Sequence, residues 1–246
     1  MFYFPGASLF LMLLNNINMN ETYEYLTDKL EPKLKTKTQQ EQPKQHWIGV
    51  AGGPGSGKTT ISEIIAGRLN QIEPESAVVV PMDGWHTPQR DLIAKFGPES
   101  MKRRGAPWTF DVELCVEELK KAKQAGEGSL PIYSREISDP LPDGVSLQKH
   151  HRVVLVEGLY LLWKEDPQWS KLFDLWDERW FVQCPSRQEQ IDRLVQRSVQ
   201  TWTDAKTKQW GPGAEGARKR AECNDVPNMD TVAPCHRYAD EVIINN

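Results

Sequence analysis

The chain lacks any paired arrangement of its four cysteines: Cys115, Cys184, Cys223 and Cys235 form no Cys-x-x-Cys, and they show no metal-ligand spacing with the five histidines. That excludes zinc-finger and dithiol-redox readings. Cys184, closing an apolar run, reads as a core residue, and a reduced intracellular compartment fits the cysteine usage. A long basic block is also missing. Lys102-Arg103-Arg104 and Arg218-Lys219-Arg220 are short and isolated, and the net charge is -4. A nucleic-acid footprint is therefore excluded, and the expected partner is a small molecule.

No apolar run is long enough to span a bilayer. Met1–Leu14 is mostly apolar but too short, so no membrane partner is expected. The first basic residue is Lys29. A secretory signal would need a positive leading segment, and the missing arginine argues against a mitochondrial transit peptide. Residues 1–20 read as an extension outside the fold, or as a translation start placed too early. A cytoplasmic location is expected, with organelle targeting by these residues left open, as is homo-oligomer formation.

What the sequence does have is Gly52-Gly53-Pro54-Gly55-Ser56-Gly57-Lys58-Thr59. The pattern Gly, four residues, Gly-Lys-Thr is a phosphate-binding loop. The apolar run His46–Ala51 enters it as a strand. Thr60–Leu69 leaves it with Ile61, Ile64, Ile65 and Leu69 at the spacing of one helix face. Glycines let successive N–H groups point inward as a nest for phosphate oxygens. The following helix, beginning near Thr60, adds its partial positive charge. Lys58 is expected to reach the β- and γ-phosphates and the Thr59 hydroxyl to ligate Mg²⁺. A nucleoside triphosphate is the predicted ligand.

At 246 residues the chain can bury one full α/β core. Tyr23, Leu26, Leu30 and Leu34 predict an amphipathic helix over 21–37, interrupted near Pro32. Thr36–Gln45 reads as a polar linker, with the core starting at 46. Further strands are expected at 77–83, 152–157, 180–184 and 239–245. Helices are expected at 111–125, 187–201 and about 214–223. Strands without alternation are buried on both faces, and helices intervene each time. The predicted fold is therefore α/β, a parallel sheet sandwiched by helices. In such sheets ligands bind beyond the carboxyl ends of the strands.

Two acids fall there. Asp83 follows its strand and precedes Gly84-Trp85-His86, where it could take the proton of an attacking hydroxyl; alone, it could equally cap an Asp-Gly turn. Glu157 follows Val153-Val154-Leu155-Val156, where a second acid holds Mg²⁺ directly or through water.

Met82-Asp83-Gly84-Trp85-His86, Arg103–Asp111, Pro131-Ile132-Tyr133-Ser134-Arg135 and Val156–Leu162 resemble segments of the uridine kinase-like group of phosphate-loop kinases, with phosphoribulokinases and bacterial pantothenate kinases. Asn224–Asn228 resembles a bacterial and fungal branch of that group. The resemblance runs from about Glu21 to Asn246. It implies ATP with Mg²⁺ as cofactor and transfer of the γ-phosphoryl to a hydroxyl of a small metabolite: a nucleoside, sugar, sugar acid or pantothenate-like molecule. By motif position it implies Asp83 as catalytic base, Lys58 as phosphate clamp, and Thr59 with Glu157 as the magnesium ligands. His86, Arg104, Tyr133 and Arg135 would line the acceptor pocket.

Uridine kinases typically have Asp-Asp-Phe-Tyr where this chain has Met82–Trp85, which argues against a uridine pocket. Pantothenate kinases carry His at the place of Arg135. An arginine there suits an anionic or polyhydroxylated acceptor, or pairs with Asp139. Arg193 and Arg197 lie four apart on one predicted helix. Arginines at the corresponding place in relatives close over the phosphates, and 193–216 is a candidate lid that excludes water. The rival reading is a nucleotide-dependent regulatory or binding protein with weak ATPase activity. It leaves Asp83 without a task.

Overall fold

The computed structural model describes residues 18–35 and 44–246. The expected extension over 1–20 lies outside the described residues up to residue 17, as does most of the 36–45 linker. Met19 and Asn20 already belong to the first helix, so the fold begins before the expected residue 21. Gln45 is described, and it is anchored: its side-chain amide donates to the carbonyls of Gly126 and Gln148.

The Val- and Ile-rich runs form a five-stranded, all-parallel sheet. Its members are β1 (His46–Ala51), β2 (Ala77–Pro81), β5 (Val153–Gly158), β6 (Glu178–Gln183) and β7 (Glu241–Ile244), in the order β2-β5-β1-β6-β7. Every residue of β5 is buried, as expected of a central strand covered on both faces. Alternate side chains serve opposite layers. Trp47, Val154 and Val156 belong to one apolar cluster, while Ile48, Val50, Val153 and Leu155 belong to the other.

Helix α1 (Met19–Leu34) and helix α2 (Lys58–Ile72) cover that second face through Leu26, Leu30, Ile61, Ile65 and Leu69. Each such buried side chain contributes about 1.5–3 kcal/mol. Asn18 caps α1, and the helix passes Pro32 without the expected interruption. Leu30 and Leu34, on either side of the proline, are both buried in that layer. The other face carries α4 (Val112–Ala125), capped by Asp111 and stopped by Gly126 at φ 71°.

Helices at Gln89–Phe96, Asp204–Trp210 and Val226–Val232, and one hairpin, were not anticipated from the sequence. Strands β3 (Gly128–Ser134) and β4 (Asp139–Leu147) form a separate antiparallel hairpin, outside the parallel sheet. It packs on a 3₁₀ turn, Met82–Trp85, that follows β2. Asp83 therefore sits on this turn and not on the expected strand 77–83. Helix α3 (Gln89–Phe96) precedes α4 in the chain. After β6 the chain is helical: α5 (Arg187–Gln200), α6 (Asp204–Trp210), α7 (Gly213–Arg220), a π-helical turn Ala221–Asp225, and α8 (Val226–Val232). Among the described residues no helix is long and apolar enough to cross a membrane.

Candidate functional site

The loop between β1 and α2 is held by its carbonyls. Gln190 of α5 donates to the carbonyl of Pro54 at 2.8 Å, Asn245 donates to that of Ser56 at 2.8 Å, and the Cys184 thiol lies 3.7 Å from that of Gly55. Within the loop the Ser56 N–H donates to the Gly53 carbonyl at 3.2 Å. Gly57 stands before α2 at φ 90°, and no side chain caps the helix. Its first-turn N–H groups, Thr60 included, are thus open to an anion. A Cβ on Gly57 would meet the Asn245 amide nitrogen at 2.0 Å, so loop and chain end are fitted to one another. Neither Gln190 nor Asn245 was foreseen, because only tertiary packing brings them to the loop. Gly52 and Gly53 are equally confined, against Val182 and Met229 respectively.

Parallel register aligns the acids. Glu157 pairs with Val50 on β1 and Pro81 on β2, so it lies at the strand ends beside the loop. It is 5% exposed, and the Thr59 hydroxyl donates to it at 3.0 Å. Burial pushes its carboxyl up; nearby Asp83 adds to that, and Lys58 opposes it. A buried carboxylate and a hydroxyl form an oxygen-only donor set that fits Mg²⁺, which is usually held by one or two protein ligands plus phosphate and water. Asp83, Lys58, Thr59 and Glu157 line a single cavity of about 380 Å³. Among the described residues, the Asp83 carboxylate makes no hydrogen bond or ion pair.

One wall of the cavity is made by the hairpin and the 3₁₀ turn. His86 packs against Phe110 and Tyr133 with tilted rings, centroids 4.0 and 4.9 Å away, and its Nδ1 lies 2.8 Å from the carbonyl oxygen of Asp83. That oxygen only accepts, so Nδ1 carries the proton and Nε2 is left as an acceptor. Burial lowers the basicity of the ring; the Asp83 charge and carbonyl oppose that, and the Arg104 charge adds to it. Arg104, with its side chain 10% exposed, donates from Nη2 to Asp139 at 2.9 Å and stacks on Tyr133. Its Nε and Nη1 are buried without a partner. Arg135, at the tip of the hairpin, also lines the cavity. The alternative Arg135–Asp139 pair is absent: Asp139 is engaged by Arg104 and by the backbone N–H of Gln89.

The opposite wall is α5 with the π-helical turn. Leu194 packs on Gly55 and Arg197 lines the cavity. Arg193 does not join it. One turn back on the helix, it is paired with Glu189 at 2.7 Å, outside the cavity lining, so the two arginines expected to act together are separated. The candidate lid 193–216 begins inside this packed helix; α6, further along it, buries no residue. Lys206 and Arg220 face the same space. Asp225 lies 3.6 Å from Arg220, and its carboxyl is raised by burial while Arg220, Arg197 and Arg103 pull it down. Asn224 donates to the carbonyl of Arg104 at 2.8 Å, tying the two walls together. Such π-helical turns recur at functional sites.

A profile of the Phosphoribulokinase / Uridine kinase family matches residues 47–200. A Schizosaccharomyces pombe protein named "Putative uridine kinase C227.14" is 37% identical over 134 residues, 53% of this chain and 57% of that protein. The match thus spans little more than half of that relative. An Aspergillus versicolor "ATP-dependent kinase-like protein notR'" is 33% identical over 171 residues, 67% of this chain and 94% of that one. The crystal structure of a "putative fructose transport system kinase" from Silicibacter sp. TM1040 superposes with a TM-score of 0.73 at 27% identity, over 89% of this chain and 98% of that chain.

Proposed function

Because the chain belongs to the phosphoribulokinase/uridine kinase family, we propose that it is an ATP-dependent kinase that phosphorylates a hydroxyl of a small metabolite. The observation that carries this reading is the unpartnered Asp83 carboxylate, in one cavity with Lys58 and the Thr59–Glu157 pair. In this reading residues 21–246 form one kinase domain. The loop N–H groups and the start of α2 bind the triphosphate, and Lys58 neutralises the β- and γ-phosphates. Thr59 and Glu157 hold Mg²⁺, which when bound offsets charge on the phosphate oxygens.

Asp83 accepts the proton of the attacking hydroxyl as its oxygen bonds to the γ-phosphorus. The bond from that phosphorus to the bridging oxygen breaks, ADP leaves with the electron pair, and Asp83 returns the proton to solvent. Arg197 faces the phosphates and stabilises their transition-state charge. Segment 193–216 then serves as a lid over the phosphates.

The test is ADP release across a panel of nucleosides, sugars, sugar acids and pantothenate, against a control without acceptor. At least tenfold stimulation by one acceptor, with a phosphorylated product, supports the kinase. Slow ADP release that no acceptor changes would instead favour a nucleotide-dependent binding protein.

A further inference from the structure

Arg104, Arg135 and His86, beside Asp83 in the mouth, keep unmet bonding capacity once nucleotide and metal are assigned to the loop, Lys58, Thr59 and Glu157. Arg104 is a nearly buried cation whose charge is met by one carboxylate oxygen, and that oxygen is shared with the backbone N–H of Gln89. Two of its nitrogens have no acceptor. A buried guanidinium so poorly matched is costly until an anion arrives. Arg135 brings a second cation to the same wall, with no hydrogen bond or ion pair to its side chain among the described residues. His86 offers the opposite character. Its Nδ1 proton is committed to the Asp83 carbonyl, and burial disfavours a second proton on the ring, so Nε2 awaits a donor.

Taken together with Asp83, the wall has two acceptors for hydroxyl protons beside two cations. Resting on the kinase reading above, we infer that the phosphoryl acceptor is an anionic polyol. One hydroxyl goes to Asp83 for transfer, another donates to Nε2 of His86, and a carboxylate or phosphate is held by Arg104 and Arg135. Neutral nucleosides and neutral sugars lack the group that Arg104 requires. The positioning contacts support the assignment. Asp139 and Asn224 fix Arg104 from its two ends, and the Tyr133 ring lies under the guanidinium and packs against the imidazole.

The experiment is calorimetric binding to the full chain loaded with Mg²⁺ and a non-hydrolysable ATP analogue. Matched pairs are compared: gluconate against glucitol, glycerate against glycerol, and ribose 5-phosphate against ribose, with pantothenate and uridine added. At least one anionic member is expected to bind about 50-fold tighter than its neutral twin. Arg104→Gln should remove roughly 100-fold of that affinity, the scale of a charge-assisted contact. Arg104→Lys guards against misfolding, since it keeps the cation and loses the planar fork; it should retain the charge preference at about tenfold lower affinity. His86→Phe should weaken the anionic polyol while leaving the preference over its twin. Carboxylate and phosphate arms distinguish the two anion classes.

Equal binding of the twins, or no anionic member bound at millimolar concentration, overturns the inference. So does an Arg104→Gln protein that keeps the preference. Turnover measured on the same panel decides the kinase reading separately: an anionic ligand bound without being phosphorylated would sink that reading alone.

Discussion

Gly84→Ala should cripple the protein, although residue 84 carries no side chain into the cavity. A Cβ built there would lie 2.3 Å from the carbonyl oxygen of Pro131 and 2.5 Å from its carbon. Ordinary contact begins near 3.4 Å, and both atoms are backbone, so no rotamer change relieves the clash. The β3–β4 hairpin must retreat by about 1 Å, taking with it Tyr133, Arg135 and the Asp139 that holds Arg104. A misplacement of about that size costs roughly 10²-fold in turnover. The strain costs about 1–3 kcal/mol, or several degrees in Tm for a domain of this length. The assay is acceptor-dependent ADP release alongside a thermal scan. Gly67→Ala is the contrast: on the exposed side of α2, with nothing within 4 Å of its Cβ, it should stabilise by about 0.5–1 kcal/mol. If Gly84→Ala leaves the acceptor KM and kcat unchanged, the hairpin does not position the acceptor wall.

Lys58→Ala should lower kcat/KM by at least about 10²-fold, the scale of losing one stabiliser of a developing anion, with circular dichroism unchanged; near-normal turnover would contradict the loop assignment. Arg135→Ala should raise the acceptor KM while the ATP KM stays nearly constant, the signature of lost binding to one substrate; kinetics unchanged for the true acceptor would place Arg135 outside the contact. Glu178 gives the pH dependence. Burial pushes its carboxyl up, but hydrogen bonds from His46, Lys29 and Trp180 prevail and hold it at about 2. A depressed folded pKa gives stability that is complete above the unfolded value near 4.3 and lost as pH falls through the folded value, at most about 3 kcal/mol. Glu178→Gln should therefore lower stability at neutral pH and flatten the loss between about pH 5 and pH 2; an unaltered acid limb would count against the cluster.

The parallel sheet and the phosphate loop could be read directly because their signals are local. Val153–Val156 is an apolar run and Val78–Val80 a β-branched one, both without alternation, and the loop glycines stand at fixed offsets between a strand and a helix. The hairpin carried no such signal. Pro131, Pro140 and Pro142 argue against strands, its register shifts between Leu130 and Ile132, and nearly all its side chains are half-exposed or exposed. What stabilises it is docking on Met82–Trp85, an interaction between distant segments. The same holds at the site. Asp83, Lys58 and Glu157 follow from motif and strand ends. That Arg193 turns to Glu189 while Arg197 turns to the cavity depends on packing that a four-residue spacing does not specify. Gln190, Asn245 and Asn224 act through single bonds across more than a hundred residues of chain.

The central claim is that Asp83 is a base for an acceptor hydroxyl, and Asp83→Asn tests it most directly. The amide preserves shape and hydrogen bonding but is too weakly basic to take the proton. ATP affinity, measured by calorimetry, and acceptor-dependent phosphoryl transfer are followed on the same preparation. The account predicts an ATP Kd within about threefold of the parent and transfer reduced by roughly 10²–10⁴-fold. Collapse of ATP binding would make Asp83 a nucleotide or metal support, and undiminished transfer would make it a turn residue; either result contradicts the account.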